Sequence, residues 1–77
     1  MKLPRLSGQE VIRILSKSGF KPVRQRGSHV LLIKFIGTEK IGTVVPLHKE
    51  LKTGTWRGIL RQARITPEDF IELEKKN

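Results

Sequence analysis

Cysteine is absent from this 77-residue sequence, which excludes disulfide staples and thiolate metal ligation. Long apolar runs are absent too. The longest aliphatic stretch is Val30-Leu31-Leu32-Ile33, far short of the ~20 residues that a bilayer span needs. Met1-Lys2-Leu3-Pro4-Arg5 lacks the apolar core of a secretory signal, so a soluble, cytoplasmic protein with no membrane association is expected. There is no internal repeat, low-complexity tract or linker, and residues 1–77 read as one domain. A core of that size leaves little room for a large buried active-site cavity.

Acidic residues are scarce: seven Asp and Glu stand against sixteen Lys and Arg, for a net charge of +9 and a pI near 10.7. The excess is polarised. Residues 1–34 hold eight basic residues and only Glu10 as an acid, whereas residues 59–77 balance four against four. A small basic domain of this kind points to a polyanionic partner, nucleic acid ahead of an anionic membrane.

The apolar pattern orders the chain as α-β-β-β-α-α. Ser7-Gly8-Gln9-Glu10 has the spacing of a capping box, Val11, Ile12, Ile14 and Leu15 supply a helical stripe, and Gly19 ends it. Phe20 to Arg26 is a strand with an irregular or edge start at Pro22. Gly27-Ser28 suits a two-residue type II′ turn into the strand His29 to Ile36. Gly37-Thr38-Glu39-Lys40 turns the chain into a third strand, Ile41 to Leu47. A helix then starts near Thr55 or Trp56, with Trp56, Ile59, Leu60 and Ala63 on one face. Thr66-Pro67-Glu68-Asp69 opens a last helix. The fold class is therefore α+β, with a three-stranded antiparallel sheet and helices on one face.

His29 and His48 are the only side chains that ordinarily titrate near neutral pH. No nearby spacing matches a metal site, and there is no G-x-S-x-G, Walker A or dinucleotide fingerprint. No cofactor or metal is expected. Around a two-residue turn, Arg26 and His29 face one another with Cβ atoms about 4.5–5.5 Å apart, and Arg24 shares their face. Two guanidinium groups beside an imidazole suit a phosphodiester and proton transfer at its oxygens. A histidine beside a turn is also an ordinary surface residue. His48 reads as a loop residue bonded to nearby backbone, and Trp56 as a core anchor. Lys49, Lys52 and Arg57, near a helix start, are candidates for holding nucleic-acid phosphates, with plain solvation an equal reading. Lys2, Arg5, Lys75 and Lys76 add long-range steering.

Gly27-Ser28-His29, Val45-Pro46-Leu47-His48, Glu50-Leu51-Lys52-Thr53-Gly54-Thr55 and Gly58-Ile59-Leu60-Arg61-Gln62-Ala63 together resemble the HicA toxin family. Glu10-Val11-Ile12 and Gly19-Phe20-Lys21-Pro22-Val23-Arg24-Gln25 extend the likeness over residues 7–71. The resemblance implies a type II toxin–antitoxin toxin that cleaves mRNA as a metal-independent endoribonuclease, on a double-stranded-RNA-binding-domain-like fold. It implies that His29, in the G-S-H motif, is catalytic and that a HicB-like antitoxin covers the active surface. Arg24 and Arg26 are then expected to hold phosphate. A non-catalytic double-stranded-RNA-binding module and a pure interaction protein are the alternatives.

The chain departs from that family's pattern at Arg64, where glycine is common, at Trp56, where leucine is usual, and at the aliphatic run after His29. Strict alternation puts His29, Leu31, Ile33 and Phe35 on one face of the strand. Val30, Leu32, Lys34 and Ile36 fall on the other. One layer of helices covers only one of these faces, which leaves an apolar patch for an antitoxin or a homodimer.

Overall fold

The computed structural model describes residues 5–76; Lys2, assigned a steering role above, lies outside them. The element order is α1 (Gly8–Ser16), β1 (Lys21–Arg26), β2 (His29–Ile36), β3 (Glu39–Pro46), α2 (Thr53–Ala63) and α3 (Pro67–Lys75). The strands form one antiparallel sheet in the order β1-β2-β3. This is the α+β architecture expected from the apolar periodicities.

Helix α1 starts where its cap dictates. The Glu10 backbone N–H donates to Ser7 Oγ at 3.1 Å, and the Ser7 N–H donates to Glu10 Oε1 at 3.0 Å, so two otherwise orphaned donors are satisfied. Val11, Ile14 and Leu15 point inward and are fully buried. They meet Leu32 and Val45 from the sheet, Trp56, Ile59 and Leu60 from α2, and Phe70 from α3 in a single core. Each large side chain so buried contributes roughly 1.5–3 kcal/mol. Trp56 is 2% exposed and meets Phe70 edge to face, with centroids 5.4 Å apart, so it is the core anchor that its spacing implied.

Thr66 caps α3 through the Asp69 N–H at 3.1 Å. The far end of α3 is closed from outside: Lys17 Nζ donates to the carbonyls of Leu73, Glu74 and Lys76. A cation there satisfies free carbonyls and complements the helix dipole.

Four boundaries differ from expectation. α2 begins at Thr53, two residues before Thr55, because Lys52 serves as N-cap without any side-chain hydrogen bond. The second turn is only Gly37-Thr38, since Ile36 already pairs with Glu39. Glu39 and Lys40 thus belong to β3, which ends at Pro46 and not at Leu47. In β1 the register slips between Pro22 and Arg24, so Val23 is the extra residue of a β-bulge, and strand pairing begins at Lys21 and not at Phe20.

The helices cover one face of the sheet. Val30 and Leu32 of β2 and Ile41, Thr43 and Val45 of β3 are buried beneath them. The Thr43 hydroxyl donates to Gln62 Oε1 at 2.8 Å, which ties β3 to α2. Lys34 shares this face but keeps its ammonium near the rim, 5.7 Å from the Phe20 ring centroid. The opposite face of the sheet is open.

Candidate functional site on the open sheet face

The β1–β2 hairpin builds the site. Gly27 has φ +54, and Ser28 is not among the residues with positive φ, the combination that a type II′ turn requires. Gln25 Nε2 donates to the Gly27 carbonyl at 3.0 Å, and the Leu47 N–H donates to the Ser28 carbonyl at 2.6 Å. The hairpin tip is therefore fastened on one side to its own strand and on the other to the end of β3.

With the turn held, Arg26 pairs with His29 and Arg24 with Leu31. Leu31 pairs in turn with Val44 of β3. Cross-strand partners share a face, so these side chains converge on the open side. They line an open concavity of about 330 Å³ formed by Arg24, Arg26, His29, Leu31 and Val44. Its floor is aliphatic and its rim carries two guanidinium groups and one imidazole. Both arginines and His29 are exposed. Among the described residues no carboxylate lies within salt-bridge distance of Arg24 or Arg26, so both are free to bind an external anion.

The other basic residues singled out from the sequence stand elsewhere. Lys49 lines a second hollow with Ser7, Gln9, Leu47 and His48. Lys52 is the N-cap of α2 and Arg57 lies within it, and that helix packs on the covered face of the sheet. None of the three lines the His29 concavity. His48 is exposed, and its backbone carbonyl accepts the Gly8 N–H at 2.9 Å, so this residue helps seat the start of α1. Among the described residues, no group of three or more His, Asp or Glu side chains comes together as a metal site would require. No described helix is long and apolar enough to cross a membrane.

Val44 is the part of the site that the sequence alone does not reveal. Its membership follows from the β2–β3 register, which pairs it with Leu31. The alternation along β2 by itself puts Leu31 on the same face as His29.

Comparison with known proteins adds one finding. A search of curated proteins gives no match to this chain. The family model described as the HicA toxin of bacterial toxin–antitoxin systems matches residues 8–65, from the start of α1 through the end of α2. That span holds the whole hairpin site, and the chain belongs to the HicA toxin family.

Proposed function

We propose that this toxin is a metal-independent endoribonuclease whose active site is the concavity around His29. The observation that carries this reading is the convergence of Arg24, Arg26 and His29 on one open surface. An exposed imidazole there reaches a polynucleotide backbone, and the two guanidinium groups hold the phosphodiester that is cleaved. His29 acts as general acid or base: it takes the proton of the attacking sugar hydroxyl or gives one to the departing oxygen. The arginines stabilise the charge that builds on the non-bridging oxygens, donating hydrogen bonds from positions fixed by the hairpin.

The same face supports neutralisation by a HicB-like antitoxin in the cytoplasm. Phe35 and Val44 are 64% and 43% exposed there, an apolar surface beside the site of the kind that protein partners cover. An antitoxin seated on it blocks His29 directly.

Induced expression in bacteria tests the proposal. Wild-type protein arrests growth and degrades mRNA, co-expressed antitoxin relieves both, and His29→Ala does neither. Intact RNA in cells arrested by the wild type contradicts it. So does retention of duplex RNA without any cleavage, which is the behaviour of a binding module.

A further inference from the structure

The open face extends well past the concavity. Ile33 pairs with Lys21 and with Gly42, and Phe35 pairs with Lys40, so all of these residues share the face of His29. Gly42 leaves space that a side chain would fill: a Cβ there would meet Ile33 Cδ1 at 3.0 Å and Leu31 Cδ1 at 3.8 Å. Leu31 and Ile33 therefore lie across the sheet as a continuous apolar stripe from His29 to Phe35. The cations Lys21, Arg24, Arg26 and Lys40 flank that stripe. No described carboxylate faces it, because Glu39 of β3 turns to the other side and bonds Arg64 at 2.6 Å.

An apolar stripe with cations of one sign along its borders fits a single nucleic-acid strand, whose bases lie on the stripe while its phosphates meet the border. A duplex hides its base faces and has no use for the stripe. At the far end Phe35, 64% exposed, is the one phenylalanine, tyrosine or tryptophan ring on this face among the described residues. It stands six residues from His29, about 20 Å at the rise of a strand.

Resting on the nuclease reading above, we infer that Phe35 is a stacking platform for a base of the substrate strand a few nucleotides from the bond cleaved at His29, so that substrate is gripped at two separated points. The inference gives the face beyond the concavity to single-stranded RNA whenever no antitoxin covers it. Charge complementarity and the exposed phenyl ring at the far end of the stripe carry it.

The test uses the full chain carrying His29→Ala, so that RNA stays intact, and fluorescein-labelled single-stranded oligoribonucleotides of increasing length. Anisotropy is expected to show a rise in affinity once the oligonucleotide is long enough to reach Phe35. Adding Phe35→Ala abolishes that rise, weakening long oligonucleotides about 5- to 100-fold and leaving the shortest unchanged. Phe35→Trp keeps the rise. Phe35→Leu, apolar but unable to stack, loses it. Far-ultraviolet circular dichroism checks that each variant folds.

Equal affinity of Phe35→Ala and its parent at every length overturns the inference, as does full retention by Phe35→Leu. A loss of antitoxin binding with RNA affinity intact also overturns it and assigns the ring to the protein partner. Failure of the nuclease reading looks different: otherwise wild-type protein then leaves every RNA uncut, whatever Phe35 does. Failure of this inference alone leaves wild type cleaving, with Phe35→Ala matching it on long and short substrates.

Discussion

Arg26 and His29 are the closing pair of the β1–β2 hairpin, opposite one another across Gly27-Ser28. Their juxtaposition is set by local chain chemistry and not by the distant core. It therefore depends on the positive φ of Gly27, although nothing lies within 4 Å of where a Gly27 Cβ would stand. Gly27→Ala meets no clash but strains the backbone, at a cost of about 1–2 kcal/mol. Urea denaturation is expected to show that loss, and RNA cleavage to fall with it as the pair moves out of register.

Arg24 and Arg26 act through phosphate, so their removal has an electrolyte signature. Each phosphate contact to a single strand contributes about −0.7 to the slope of log affinity against log salt. Arg24→Ala and Arg26→Ala are each expected to make that slope shallower by about that amount. Lysine at either position keeps most of the slope but loses the two-pronged grip. A salt titration of oligonucleotide binding measures both outcomes.

The exits of α1 and α2 use the same Schellman closure. After α1, the N–H groups of Gly19 and Phe20 donate to the carbonyls of Ser16 and Leu15 at 3.1 and 3.3 Å. After α2, those of Arg64 and Ile65 donate to Arg61 and Leu60 at 3.2 and 3.0 Å. The left-handed residue is glycine in the first and Arg64, at φ 58, in the second. An arginine there carries strain that its exposed pair with Glu39 only partly offsets. Arg64→Gly is expected to stabilise the fold by about 0.5–1 kcal/mol, raising Tm by a few degrees. Arg64→Ala, which keeps the strain and loses the pair, lowers it.

Much of this was legible because the relevant interactions are short-range. The capping box of α1, the Thr66-Pro67 start of α3 and the alternation of β2 are written within a few residues of where they act. The start of α2 was misplaced because Lys52 makes no side-chain cap bond, so no local signature marks it. Glu39 and Lys40 look like turn residues in isolation; only pairing with Ile36 and Phe35 draws them into β3. The Val23 bulge and the closure of α3 by Lys17 depend on partners that local patterning does not reveal. Within the site, Arg24, Arg26 and His29 follow from the hairpin alone, whereas Val44 enters through the second hairpin.

Glu10 gives the fold a pH signature. Hydrogen bonds from the Ser7 backbone and hydroxyl region, with Arg13 nearby, hold its carboxyl below the usual carboxylate range. Its contribution is therefore present above the unfolded-state value and lost as pH falls through the lower folded one. Wild type is expected to lose stability relative to Glu10→Gln as solutions are acidified below the ordinary carboxylate range. Paired denaturation curves at successive pH values check the sign, since other groups cancel in the difference.

The central claim is that the imidazole of His29 moves a proton during RNA cleavage. The most direct measurement is the first-order cleavage rate of one single-stranded RNA under excess protein, in chelator, for wild type and His29→Ala. Because His29 is exposed and Trp56 is buried, near-ultraviolet circular dichroism verifies that both proteins keep the same core. A rate lower by 10²–10⁴ in the variant is the predicted result; equal rates for two equally folded proteins contradict it.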